Sequence, residues 1–266
     1  MKNTQIISVI NQKGGVGKTT TVINLATALS FQNKKVLVID LDPQGNATTG
    51  FGMLTNENRS TVYDVLNGNC NFEESIQDTK IKNLKIVSSN VDLSGLEVET
   101  ANENRKAFLL KDKMENFINS SKNDFSYIFI DCPPSLSLLT IMSLVVAKSL
   151  IVPLQAEFFA LEGLSQLLKT IDRIKIKLNP ELEIRGVLLT MFDKRNKLSA
   201  QVDTEARKFL KEKVYETVIP RNVRLSEAPS HGVPILIYDK LCAGSRSYSN
   251  FAEEFLKQEN IMESAA

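Results

Sequence analysis

Residues 5–10 form a short β-patterned run that ends directly in Asn11-Gln12-Lys13-Gly14-Gly15-Val16-Gly17-Lys18-Thr19-Thr20-Thr21, and a helical pattern follows without a break. A strand that feeds a helix through such a loop leaves little choice of fold. Its glycines let backbone N–H groups converge with no Cβ in the way, and the helix adds the partial positive charge of its amino end. The product is a cradle for phosphate. In it Lys18 bridges the terminal phosphates of a nucleotide such as ATP and the Thr19 hydroxyl ligates Mg²⁺, while Gly14, Gly15, Val16, Gly17 and Thr20 complete the wall. At average composition such a string arises by chance in on the order of one chain in ten thousand.

The loop departs from the common G-x-x-x-x-G-K-[ST] pattern in two places. Gln12 takes the first glycine position, and a second lysine, Lys13, precedes the glycine pair. One phosphate group has no need of two loop lysines from one chain. A use for the second is to cross a symmetric interface to a nucleotide held by another copy, as an arginine finger does.

The remaining sequence has the rhythm of an α/β domain built around that loop. Strand patterns fall at residues 5–10, 35–39, 84–87, 127–130, 149–154, 184–190 and 214–219, several apolar throughout as in strands buried on both faces. Between them, Val22, Leu25, Ala26 and Leu29 make one apolar helical stripe, and Leu161, Leu164, Leu167, Leu168, Ile171 and Ile174 make another. Residues 200–211 and 247–256 also read as helices. This alternation predicts a doubly wound, mostly parallel sheet with helices on both faces and a ligand crevice at the carboxyl ends of the strands. With 266 residues, 42% of them hydrophobic, residues 1–266 are expected to form a single domain with loose ends at 1–4 and 260–266. Residues 56–123, the most polar third, read as peripheral helices and loops.

Residues 136–154 are apolar enough to suggest a membrane span, but Lys148 lies inside the run and Pro153 near its end. A buried helix followed by the strand at 149–154 fits better. Cys70, Cys132 and Cys242 are far apart and His231 is the single histidine, a pattern that excludes a zinc site and fits a reducing compartment. No signal peptide is read before the first strand. Net charge is +1, yet residues 169–224 carry 14 Lys/Arg against eight Asp/Glu. A local excess of this kind points weakly to a polyanion-binding face; on charge alone a solvated helical surface explains it as well.

Two acidic motifs complete the chemistry. Asp40-Leu41-Asp42 follows the second strand, and Pro43-Gln44-Gly45-Asn46 forces a turn that keeps both carboxylates at the sheet edge. One division of labour has Asp40 assisting Mg²⁺ through water and Asp42 orienting the attacking water. The apolar run Tyr127-Ile128-Phe129-Ile130 ends in Asp131, which is placed to hold Mg²⁺ through a water; Cys132 reads as buried filler, and Pro133-Pro134 stiffen the exit.

These motifs, with QAEFFALEGL at 155–164, TMFDKR at 190–195 and IPRNVRLSEAPSHG at 219–232, resemble the ParA/Soj partition ATPases of the ParA/MinD superfamily, over nearly the whole chain and in the same order. The resemblance implies an ATPase that forms a nucleotide-sandwiched homodimer, binds nonspecific double-stranded DNA in the cytoplasm on the nucleoid, and is stimulated and released by a ParB-type partner as chromosome or plasmid origins segregate. It implies that Lys13 acts in trans, that Gly14 lies at the close approach of two copies, that Arg195 and Arg224 contact DNA, and that Pro220 and Arg221 border the adenine. The alternative is a MinD-like membrane-associated positioning ATPase, which needs a basic amphipathic tail. Residues 251–260 are acidic and polar, so no membrane partner is expected. An iron–sulfur dimer would need two suitably placed cysteines, and a repressor an extra amino-terminal helix-turn-helix domain. Neither is read here.

Overall fold

The computed structural model describes residues 4–53, 59–120 and 123–265, with side chains up to Glu259. In chain order the elements are β1 (Gln5–Val9), α1 (Lys18–Phe31), β2 (Val36–Asp40), α2 (Asn46–Gly50), α3 (Val62–Asn67), β3 (Ile76–Asp78), β4 (Leu84–Val87), α4 (Leu96–Glu99), α5 (Leu109–Asn119), β5 (Tyr127–Asp131), α6 (Leu138–Val146), β6 (Ser149–Gln155), α7 (Ala160–Lys177), β7 (Glu183–Thr190), α8 (Lys197–Leu210), α9 (Val223–Glu227), α10 (Ile235–Tyr238) and α11 (Ala243–Ala265). The sheet runs β3-β4-β2-β5-β1-β6-β7, all parallel except the edge strand β3, which pairs antiparallel with β4.

Alternation along the strands sorts side chains into two layers. Ile6, Ile10, Ile128 and Ile130 enter the layer that holds Met114 of α5, Met142 of α6 and Leu167 of α7. Ile7, Val9, Tyr127 and Phe129 enter the other, with Leu25 and Leu29 of α1 and Tyr248, Phe251 and Phe255 of α11. Helix α1 carries its expected apolar stripe but is buried on every side from Thr21 to Ser30, because α11 covers its outer face. The polar groups this encloses are bonded: the Thr27 hydroxyl donates to the Ile23 carbonyl at 2.7 Å, and Thr21 and Tyr248 share a hydrogen bond of 3.2 Å. Residues 138–154 form the expected helix and strand. Among the described residues no helix is long and apolar enough to cross a membrane, and α11 spends its apolar face on the core.

Two expectations need correction. Thr4 is not loose: it is 3% exposed and its hydroxyl donates to the Phe125 carbonyl at 2.9 Å. Residues 1–3 and 266 lie outside the described residues, and α11 remains helical through Ala265. Nor do residues 214–219 form a strand. They follow β7 through bonds such as Tyr215 N–H to the Val187 carbonyl at 3.0 Å, but the Glu216 and Thr217 amides donate to the Glu254 carboxylate at 2.7 and 2.9 Å. A side chain of α11 thus takes the bonds a ladder would need. The segment is seated by Tyr215, whose ring lies where a Cβ on Gly186 would be, 2.4 Å away. Gly186→Ala is therefore expected to destabilise the fold by roughly 1–3 kcal/mol through overpacking. Chemical denaturation measures it, and an unchanged midpoint would show that Tyr215 yields freely.

Candidate active site

Strand β1 lies between β5 and β6, so the loop that leaves it opens at the middle of the carboxyl edge. Gly15 and Gly17 have φ of 73° and 89°, the left-handed region that side chains avoid. Gly14 has no such need: a Cβ there would sit 3.7 Å from that of Pro134, an ordinary contact. Neighbouring strand ends anchor the loop. The Thr190 hydroxyl donates to the Val16 carbonyl at 2.8 Å, and Asn11 donates to the Pro153 carbonyl at 2.7 Å while accepting the Lys13 amide. Lys18, 6% exposed, donates to the Lys13 carbonyl at 3.0 Å. Burial lowers its pKa, opposed first by the Asp131 charge.

Asp40 and Asp131 are register partners on β2 and β5, both fully buried. Their surroundings differ. Asp40 accepts from the Thr48 amide and hydroxyl at 2.8 and 2.7 Å and from the Asp42 amide at 3.2 Å. Burial still pushes it up to about 6. Oδ2 is committed to Thr48 and Oδ1 to the Asp42 amide, so Asp40 shapes the turn that carries Asp42. Neither oxygen of Asp131 makes a hydrogen bond of good geometry, and burial, then the Asp40 charge, raises its pKa well above the usual range, opposed first by the neighbouring Thr19 hydroxyl. A buried carboxylate with no well-formed hydrogen bond, beside the Thr19 hydroxyl, fits a cation. Among the described residues no cluster of three acidic, histidine or cysteine side chains could hold an ion alone. A cation here takes most of its ligands from phosphate and water, as Mg²⁺ does.

The cleft has a volume of 580 Å³, with Asp42 and Pro134 at one end and Met191, Ile219, Pro220 and Arg221 at the other. Asp42 is 5% exposed; one oxygen accepts the Gln44 amide at 3.0 Å and the other makes no hydrogen bond. Lys13, more than half exposed at the lip, pairs with Glu157 of its own chain. Pro220 and Arg221 separate this cleft from a second of 540 Å³, where Arg221 joins Lys194 and Arg195. Arg224 lies outside both linings. Both candidate DNA arginines are held by acids: Asp193 grips Arg195 at 3.0 and 3.1 Å, and Arg224 meets Glu227 at 2.9 Å. Thr48, Glu157, Thr190 and Asn222 escaped sequence reasoning. Of these, only Thr190 stood at a strand end where a site residue is to be sought.

A parallel sheet whose first strand delivers a lysine–threonine phosphate loop beside buried aspartates defines the P-loop class of nucleoside-triphosphate hydrolases. Comparisons agree. A family model described as an AAA domain matches residues 4–184. The chromosome partitioning protein ParA of Caulobacter vibrioides is 47% identical over 98% of this chain and 97% of its own. The sporulation initiation inhibitor protein Soj of Bacillus subtilis is 47% identical over 94% and 97%. A cobyrinic acid a,c-diamide synthase of Mycobacterium smegmatis, solved with an ATP analogue and magnesium, superposes with a TM-score of 0.83 at 33% identity over 96% of this chain and 94% of that one. The chain belongs to the ParA/Soj family of chromosome-partitioning ATPases.

Proposed function

We propose that the chain binds Mg·ATP in the 580 Å³ cleft, pairs with a second copy across the two bound nucleotides, and holds DNA of any sequence only as that dimer. A ParB-type partner then stimulates slow hydrolysis to ADP and phosphate and releases it, in the cytoplasm at the nucleoid surface. The observation that carries this is the convergence of Lys18, Thr19 and Asp42 on one cleft, with the buried Asp131 close enough to feel the charges of Lys18 and Asp42 and Lys13 held outside it only by an exposed pair with Glu157. Gly14–Thr20 wrap the phosphates, Lys18 neutralises their charge, and Thr19 and Asp131 hold Mg²⁺, which supplies charge neutralisation when bound. Asp42 orients the attacking water. Gly14, which the single chain does not require to be glycine, faces the partner. Pro220 and Arg221 border the base, and the relatives' names supply the partition role.

Lys13 must exchange Glu157 for the partner's phosphates, and at this exposure the pair holds it by no more than about 1 kcal/mol. Arg195 and Arg224 likewise exchange their acids for DNA phosphates, which makes binding weak per copy and dependent on doubling. Sedimentation with Mg²⁺ and either ADP or ATP, with and without duplex DNA of arbitrary sequence, tests the whole scheme. Mass doubling and DNA retention are expected with ATP alone, the retention falling steeply with salt. Arg224→Ala should double with ATP yet leave the DNA. A chain that stays single at saturating ATP refutes the dimer, and salt-independent retention refutes phosphate contact.

A further inference from the structure

Asn222 lines the nucleotide cleft, directly after Pro220 and Arg221. It is half-buried, its side chain makes no hydrogen bond, and its Oδ1 is enclosed without a partner. An enclosed, unpaired carbonyl oxygen costs about 1–3 kcal/mol relative to a satisfied one, so a side chain left in that condition at a ligand cleft is a candidate to be completed by the ligand.

Sheet order settles which end of a nucleotide it meets. Asp42 follows β2 and Asp131 ends β5, on one side of the phosphate loop; Met191, Ile219 and Asn222 sit by β7, on the other. A triphosphate whose last phosphate approaches the acidic, cation-holding side lays its base toward β7. There the walls are Met191, Ile219, Pro220 and Leu225, apolar surfaces suited to the faces of a purine. Met191 has a φ of 49°, a strained value for a residue with a side chain, held by the amide of Phe192 on the Ile219 carbonyl at 3.0 Å. The same short bridge fixes the backbone leading to Asn222, since the Arg221 amide donates to the Phe192 carbonyl at 3.2 Å.

We propose that the carboxamide of Asn222 reads the 6-amino edge of the purine and so selects ATP, an inference that rests on ATP binding in this cleft. A carboxamide offers one acceptor and one donor side by side, and matches adenine's exocyclic amine and an adjacent ring nitrogen. Rotation about its last torsion is broad and two-fold, so either end can turn to the base. Asn222 is the one carboxamide among the described side chains of the β7 wall; the Ser226 and Ser230 hydroxyls carry donor and acceptor on a single atom, and Arg221 has donors only.

The test is equilibrium binding, with Mg²⁺, of ATP and of purine riboside 5′-triphosphate, which differs from ATP only in lacking the 6-amino group. Wild-type protein should prefer ATP about five- to tenfold, the value of one hydrogen bond whose loss leaves a buried acceptor unpaired. In Asn222→Ala that preference should shrink to within about twofold, because affinity for ATP falls by more than affinity for the deaminated analogue, which loses only the bond to its ring nitrogen. A merely structural role would weaken both ligands by the same factor and leave the preference intact. If the variant binds neither, Asn222→Asp, which keeps shape and acceptor, decides: a retained preference supports the assignment and a lost one overturns it. Equal affinity of the wild type for both triphosphates, or an undiminished preference in Asn222→Ala, overturns it as well. Absence of binding by the wild type to either nucleotide instead refutes the ATP site itself.

Discussion

Lys18→Ala is expected to lose ATP binding by at least a hundredfold, and with it every ATP-dependent property of the chain. Lys18 is the buried cation of the cleft, 6% exposed, and its ammonium spans the loop to the Lys13 carbonyl at 3.0 Å. Charge-assisted hydrogen bonds to phosphate contribute about 1.5–3 kcal/mol each, and removing two of them exceeds the hundredfold threshold. The deletion also unbalances the nucleotide-free site. The Thr19 hydroxyl and the Lys18 charge both favour the ionised form of Asp131, so loss of the lysine holds Asp131 protonated to higher pH and offers Mg²⁺ a poorer ligand. Calorimetric titration with Mg·ATP measures the first effect and DNA co-sedimentation with ATP the second. Retention on DNA with ATP in this variant would place the nucleotide elsewhere.

What the sequence disclosed and what it hid divide along one physical line. The phosphate loop was legible because its constraints are local: Gly15 and Gly17 need left-handed backbone whatever surrounds them. Strand ends were legible for the same reason, since apolar runs stop where the sheet stops. Residues 214–219 looked like a strand because their composition is that of one. The Glu254 carboxylate that takes their amides arrives from 37 and 38 residues away, beyond any local pattern. The string Asp-Leu-Asp suggested a division of labour between Asp40 and Asp42 but not what holds each in place. Thr48, eight residues on, makes the difference by clamping one of them and leaving an oxygen of the other unbonded. Similarly, α1 showed its stripe, but only the packing of α11 reveals that its polar face is buried too.

The contrast between those aspartates leads to the other large effect. Asp42→Ala is expected to leave ATP binding near its wild-type strength, because Asp42 is an anion beside a polyanion and contributes nothing favourable to holding phosphate. Hydrolysis should nevertheless fall about a hundredfold, the lower range for loss of a positioned general base. Its one unbonded oxygen stands at the phosphate end of the cleft, oriented by the Gln44 amide on the other oxygen and by the Asp40 turn beneath it. With turnover slowed and binding kept, the ATP-bound dimer should accumulate, and more protein should remain on DNA at steady state than in the wild type. Asp42→Asn separates charge from shape: it keeps the turn and removes the base, so it should behave like the alanine variant in phosphate release while unfolding at the wild-type denaturant concentration. Phosphate release at saturating ATP is the deciding measurement. If both variants release phosphate at the wild-type rate, the attacking water is oriented by some other group, and the Asp40–Thr48 clamp serves only the fold.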